Sequence, residues 1–305
     1  MKKKHHNKDL SDISKDGWIN IFIHPSIEPY FRLARFDRPI GTYLTMLPCL
    51  AALCQASKGV PSLYNLALFA IASLIMRSVG SIINDITDKK YDRHVERTRL
   101  RPLTNGDLTT YNAVIFLIIL AIISFLLYFG LNESAQSAVL PIIPMMILYP
   151  FCKRFTNWPQ VVLGFVFNWG MLVCWFQVNN TLPFGAFLMW VGTVFWSISY
   201  DTIYAYVDIN FDKSLGLKST AILFEDDGKK YISVFLLISV VIWTLSGYLL
   251  NMNVFYFIGM FVLLFDFYSQ IKKIDLEKPD ICFFLFKHNS YAGLVLLFSS
   301  FVGSL

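Results

Sequence analysis

Two short stretches of the 305-residue sequence carry carboxylates at a spacing that can do chemistry. The first holds Asn84, Asp85, Asp88 and Asp92. On a continuous helix Asn84, Asp88 and Asp92 stand at i, i+4 and i+8 and share one face. The second repeats the spacing with Tyr204, Asp208 and Asp212. Gathered carboxylates repel one another unless a cation lies among them. Mg²⁺ suits such a place, because it prefers oxygen ligands and takes one or two carboxylates together with phosphate oxygens. Either stretch alone reads equally well as a solvated loop. Two with matched spacing point to Mg²⁺ held against a diphosphate, with Asp88, Asp92, Asp208 and Asp212 as ligands and Asn84 and Asp85 in support.

A diphosphate also calls for cations from the protein. Arg93, Arg97, Arg99 and Arg101 follow the first stretch, and Lys213 and Lys218 belong to the second. Tyr149 and Lys153 form a further i, i+4 pair. Guanidinium forks match phosphate oxygens, whereas lysine acts as a point charge. Basic loops are ordinary on one side of a membrane, so each of these has a plain alternative reading. Arg77 differs, because it lies inside an apolar run. A charge there is costly unless it is paired or functional, so Arg77 is expected to pair with an acid of the site.

The elements that must position these residues are membrane spans. The chain is 55% hydrophobic, 16% aromatic and only 15% charged, against about 25% charged in soluble domains. Runs of about 18 or more apolar residues are long enough to cross the hydrocarbon core. Nine candidates occur, at 39–57, 62–83, 108–130, 135–152, 159–178, 184–205, 231–250, 253–270 and 285–304. The fold class is therefore an all-α integral membrane bundle.

Lysine and arginine set its orientation. With the N-terminus inside, 24 of the 26 fall in inner segments, leaving Lys58 outside and Arg77 within a span. The acidic stretches then end the second and sixth spans at the inner face. The net charge of +5 reads as this topology signal, with no nucleic-acid partner. Residues 1–16 are expected to be a mobile cytoplasmic tail, with 17–305 one transmembrane domain. Their acids Asp9, Asp12 and Asp16 argue against a secretory or transit leader. The five cysteines lack CxxC spacing and read as small buried hydrophobes. Asp266, near a span end, is expected to snorkel to the interface.

At this point the chain resembles the UbiA superfamily of membrane prenyltransferases. The segments Asn84-Asp85-x-x-Asp88-x-x-x-Asp92 and Asp208-x-x-x-Asp212-x-x-x-Gly216-x-Lys218-Ser219 match its two aspartate-rich motifs. Supporting stretches are Arg35-Phe-Asp37-Arg38-Pro39-Ile40-Gly41, Arg97 through Leu103, Tyr149 through Gln160, and Asp201 through Ala221. They look most like the branch that acts on 4-hydroxybenzoate in ubiquinone biosynthesis. One departure lies inside the second motif, where Asn210 and Phe211 stand in place of extra acids often found there.

The resemblance implies a bundle around a central cavity, capped by the acidic motifs and open sideways to lipid; of a bacterial inner membrane and a mitochondrial one, the acidic tail favours the bacterial. It implies polyprenyl diphosphate and 4-hydroxybenzoate as partners and Mg²⁺ as cofactor. Tyr149, Lys153 and Lys218 would contact the diphosphate, with Lys153 aiding its departure. Tyr204, or Trp169, would face the allylic cation. Asp201, or the departing diphosphate, would take the ring proton. Arg35 or Arg38 would receive the acceptor's carboxylate, the alternative being interfacial anchoring. The competing readings are a related enzyme with a haem, naphthoate or homogentisate acceptor and, from another class, a transporter.

Overall fold

The computed structural model describes residues 17–93 and 98–305. The cytoplasmic tail expected at 1–16, and Arg97, lie outside the described residues. Every regular element among them is helical. In chain order they are α1 (Trp18–Phe22), α2 (Glu28–Leu33), α3 (Ile40–Ala56), α4 (Leu63–Asp92), α5 (Pro102–Asn105), α6 (Thr110–Tyr128), α7 (Glu133–Val139), α8 (Ile142–Leu148), α9 (Cys152–Phe155), α10 (Pro159–Asn179), α11 (Phe184–Ala205), α12 (Ile209–Ser214), α13 (Thr220–Phe224), α14 (Gly228–Leu249), α15 (Val254–Lys273) and α16 (Pro279–Gly303).

Seven helical stretches are long and apolar enough to cross a membrane: Leu63–Asp92, Thr110–Tyr128, Glu133–Phe155, Pro159–Asn179, Thr220–Leu249, Val254–Lys273 and Pro279–Gly303. The protein is thus a multi-pass membrane protein. The other two expected spans are present as helices of a different character. Ile40–Ala56 has 17 residues and is short. Phe184–Ala205 has 22 residues, but Trp, Ser, Tyr and Asp201 dilute its apolar content. The span expected at 135–152 is a helix in pieces. Pro141 precedes α8 and Pro150 lies in a 3-10 turn, Tyr149–Phe151; each proline lacks the N–H that an unbroken α-helix needs.

The described residues form two compact units, 17–39 with 78–93 and 98–123, and 40–77 with 124–305. In the smaller unit, α2 packs with α5, with the C-terminal part of α4 and with the first part of α6. The Ser78 hydroxyl of α4 donates to the Ala34 carbonyl at the end of α2, across 3.2 Å. Tyr30 meets Phe116 of α6 edge to face.

In the larger unit, α11 packs along α14, α10 and α16, and α3 lies against α10 and α16. Its core is aromatic: Trp196, Trp243, Tyr200 and Tyr256 are each at most 1% exposed. Outward positions such as Phe129, Phe261, Phe265 and Phe298 stay largely exposed, as suits helices whose solvent is lipid. All five cysteines are free and buried, as their spacing implied.

Candidate active site

In the smaller unit the first acidic stretch lies on an unbroken helix, since α4 runs through Asp92. Its buried acids are Asp85 and Asp92, two turns apart. Arg101 joins them: its Nη1 donates to Asp92 Oδ2 at 2.8 Å and to Asp85 Oδ1 at 3.1 Å. Arg101 is the cap residue of α5, set there by Pro102 at the first helical position. Arg35 reaches the same carboxylate, with Nη2 at 2.5 Å from Asp85 Oδ1. Arg35 therefore has a partner within the protein, where the sequence suggested a substrate carboxylate. Asp85 Oδ2 is buried and has no hydrogen-bond partner. Asn84 and Asp88 lie on the same two turns and are half-buried.

The backbone at Arg35 is unusual. Phe36 N–H donates to the Phe31 carbonyl and Arg35 N–H to that of Arg32, a pattern that closes a helix with one left-handed residue. That residue is Arg35, at φ 65°. Glycine is the ordinary choice there, and an L-residue costs about 1–2 kcal/mol. Strain of this kind gathers where a side chain is needed, and here the side chain is the one that holds Asp85.

Next to it, the Asp37 side chain is 3% exposed, with Arg38 Nε 3.5 Å away. Burial pushes the Asp37 carboxyl above its ordinary range, while Arg38, then Arg35 and Arg32, pull it back. Arg38 is partly buried.

In the larger unit the second acidic stretch departs from the expected helix. α11 ends at Ala205, a 3-10 turn covers Tyr206–Asp208, and α12 begins at Ile209. Tyr204, Asp208 and Asp212 therefore do not fall on one continuous α-helical face. Asp208 has φ −115° and ψ 11°, outside helical geometry. Asp212 is buried and opens the second half of α12. Gly216, at φ 66°, closes that helix: its N–H donates to Lys213 O, and Leu217 N–H to Asp212 O. It is the same closing pattern as at Arg35, here with the residue type that carries no steric cost. The chain then doubles back. Lys218 N–H donates to Lys153 O at 2.8 Å, and Lys218 Nζ to Phe155 O at 3.3 Å. Ser219 caps α13 by accepting from Ile222 N–H.

Asp201 lies at the centre of a polar group in this unit. Lys153 and Arg77 are within electrostatic reach of it, and Gln160 hydrogen-bonds its carboxylate. Gln160 is 2% exposed and also accepts from Thr220 N–H at 3.1 Å, tying α10 to α13. Tyr200, one residue earlier, is within reach of Asp201, Arg77 and Tyr149. The Arg77 guanidinium lies over the Phe167 ring, 5.3 Å from its centroid. It occupies the space a side chain would take at Gly41, where a Cβ would collide with it. The expectation that Arg77 faces an acid thus has a specific counterpart in Asp201.

Tyr204 stacks on Phe286 at 4.3 Å between ring centroids. Trp169 donates its indole N–H to Ala138 O and meets Trp190 edge to face. Gln160, Tyr200 and Ser197 received no role from sequence. The legible signal was a glutamine directly after Pro159, in the first turn of a mostly apolar helix.

Comparison with known proteins adds to this geometry. A family model described as the UbiA prenyltransferase family matches residues 45–291. A 4-hydroxybenzoate octaprenyltransferase of Shewanella woodyi is 38% identical over 275 residues, 90% of this chain and 96% of the relative. Among solved structures, the fold is similar to a UbiA homolog from Aeropyrum pernix K1, with TM-score 0.75, 21% identity and coverage of 86% of this chain and 98% of the other. It is also similar to a UbiA homolog from Archaeoglobus fulgidus bound to GPP and Mg²⁺, with TM-score 0.68, 19% identity and coverage of 90% and 99%.

Proposed function

The chain belongs to the UbiA prenyltransferase family, and on that premise we propose that it is a 4-hydroxybenzoate polyprenyltransferase. It transfers a polyprenyl chain from polyprenyl diphosphate to the ring carbon ortho to the hydroxyl of 4-hydroxybenzoate and releases diphosphate. The observation that carries the choice of acceptor is the 38% identity, across nine-tenths of the chain, to an enzyme named for it. We assign nine spans with the N-terminus inside, in a bacterial inner membrane; the distribution of lysine and arginine supports that orientation.

The residues fit Mg²⁺. Each acidic stretch offers carboxylate oxygens, the donors this ion takes, and Asp85 carries a buried oxygen with no hydrogen-bond partner. Asp88, Asp92, Asp208 and Asp212 are the ligands we assign, with Asn84 and Asp85 beside them. When bound, Mg²⁺ supplies positive charge that stabilises the leaving diphosphate.

The protein's own groups do the rest. Lys153, Tyr149 and Lys218 bind the diphosphate and take up charge as the C–O bond breaks, in a site of low dielectric where fixed charges act strongly. Tyr204, held by its stack on Phe286, faces the positive charge that develops on the prenyl carbon. Arg38 receives the acceptor's carboxylate. Arg35, already engaged with Asp85, holds that aspartate in place. As the ring carbon bonds to the prenyl carbon, Asp201 accepts the displaced ring proton. Gln160 orients Asp201, and Lys153 and Arg77 offset its charge.

The test is an assay in purified membranes with a prenyl diphosphate and 4-hydroxybenzoate, with Mg²⁺ or with EDTA. Asp88→Ala and Asp208→Ala abolish product while the protein remains inserted. Activity persisting in both variants ends the metal assignment. Faster turnover with homogentisate or a naphthoate ends the acceptor assignment.

A further inference from the structure

Asp266 and His288 lie on two apolar spanning helices, α15 and α16, and the reaction proposed above uses neither. Asp266 is about two turns from the C-terminal end of α15 and engages side chains of both α15 and α16. Its Oδ1 is 2.7 Å from His288 Nε2, and its Oδ2 accepts from Gln270 Nε2 at 2.7 Å. From there a chain of hydrogen bonds leads inward. Gln270 Oε1 accepts from Asn289 Nδ2 at 3.1 Å, and Asn289 Oδ1 accepts from Trp196 Nε1 at 2.7 Å. Gln270 is 2% exposed, and Asn289 and Trp196 are fully buried. The chain crosses α15, α16 and α11, all in the larger unit.

Its polarity is forced from one end. An indole N–H donates and cannot accept. Asn289 must therefore turn its oxygen to Trp196 and its amide N–H groups to Gln270 and to Leu285 O. Gln270 must then present its own oxygen to Asn289 and its N–H to Asp266. Asp266 is left as the acceptor that ends the run, and His288 completes it with the Nε2 hydrogen. No amide in the run can flip without leaving a buried donor facing a donor, which costs about 1–3 kcal/mol.

The inner end of this chain is one stripe of α11. Trp196, Tyr200 and Tyr204 stand four residues apart and share a face. Trp196 meets the Tyr200 ring edge to face at 5.1 Å. The Tyr200 hydroxyl accepts from Ser197, which accepts from Asn168. Tyr204 stacks on Phe286, two residues before His288 on α16. The hydrogen-bond chain is thus a polar anchor between this face and α16, whose Phe286 ring both Tyr200 and Tyr204 meet through their own rings.

We propose that Asp266 and His288 are positioning residues, which act through Gln270, Asn289 and Trp196 to fix the lengthwise register of α11 against α16 and so the placement of Tyr200, Asp201 and Tyr204. This rests on the reading of Asp201 and Tyr204 given above. Displacement of a reacting group by about 1 Å can lower turnover by about a hundredfold.

The experiment compares Asp266→Leu, Asp266→Asn, His288→Gln, Trp196→Phe and the Asp266→Leu/Trp196→Phe double variant, as full-length protein in membranes. Asp266→Asn and His288→Gln still pass a hydrogen bond along the chain and keep turnover near wild type. Asp266→Leu and Trp196→Phe each lower kcat by about tenfold or more, with little change in KM for either substrate. The double variant falls no further than the worse single one, because both cut the same chain. Near-ultraviolet circular dichroism of the Trp196, Tyr200 and Trp243 cluster changes in Asp266→Leu and not in Asp266→Asn, whatever the enzyme acts on. Where Asp266→Leu does not accumulate, Gln270→Met carries the same prediction with its side-chain length kept. Multiplying losses in the double variant, or an Asp266→Asn protein as impaired as Asp266→Leu, overturns the proposal. A wild-type protein that makes no prenylated hydroxybenzoate overturns the functional reading, while the spectral comparison still decides the positioning role.

Discussion

Arg101 holds Asp92 at 2.8 Å, so a carboxylate assigned to the metal is already neutralised by a guanidinium of the same unit. Asp85, 1% exposed in its side chain, shares that guanidinium and also receives Arg35. Removing one partner of a buried ion pair leaves an uncompensated charge and costs about 3–5 kcal/mol. Arg101→Ala is expected to melt earlier in detergent, with Mg²⁺ restoring part of the loss. Arg101→Lys keeps a charge but loses the fork, and falls between. Melting of Arg101→Ala at the wild-type temperature, with or without Mg²⁺, contradicts the role given to this residue.

Arg35 combines a strained backbone with an ion pair, and two substitutions separate these. Both Arg35→Ala and Arg35→Gly remove the pair with Asp85. Only Arg35→Gly also relieves the left-handed conformation at φ 65°, worth about 1 kcal/mol. The glycine variant is therefore expected to be the more stable of the two, and both are expected to lose activity. Equal stability by thermal denaturation removes the argument from strain.

Gly41 gives way to the Arg77 guanidinium. A methyl group there collides with it, so Gly41→Ala displaces Arg77 from its place over Phe167 and within reach of Asp201. Gly41→Ala and Arg77→Ala are expected to reduce kcat to a similar degree, and their double variant to reduce it no further. Full turnover in Gly41→Ala shows that the Arg77 position is not required.

The raised pKa of Asp37 has a definite sign in stability. Its folded-state value lies above the ordinary 3.8, chiefly through burial. The folded state then binds more protons than the unfolded one, and stability falls as pH rises from about that value upward. Asp37→Asn removes the titration. The stability of wild type relative to Asp37→Asn is expected to decline as pH rises above about 4 and to level off once pH has passed the folded-state value. A difference that stays flat or rises with pH removes the desolvation argument.

Much of the site was legible because its chemistry is local in sequence. The first acidic stretch lies on a helix of uninterrupted pattern, and α4 runs through it as the spacing requires. The stretch from Tyr204 to Asp212 carries the same spacing, yet the helix breaks at Tyr206–Asp208. No proline or glycine marks that break, so periodicity carried no warning. The position of Arg35 was equally hidden, since a left-handed residue is normally signalled by glycine. Pairing between Asp266 and His288 joins two helices across 22 positions, and a single sequence holds no record of such a contact. Length and hydropathy recovered seven spans outright. Ile40–Ala56 and Phe184–Ala205 stand apart for a physical reason: one is short, and the other bears Asp201, Tyr200 and Tyr204 along its C-terminal half.

Of the left-handed helix ends, those at Gly216 and Arg35 differ in what a replacement would cost. At Gly216 the backbone shape is met by the residue itself. At Arg35 shape and charge make opposing demands. Glycine satisfies the first and loses the ion pair, lysine shortens the reach, and any bulky replacement keeps the strain without the reward. Every single replacement at Arg35 therefore gives up the ion pair, the backbone fit or both, so the position is held by its own discomfort.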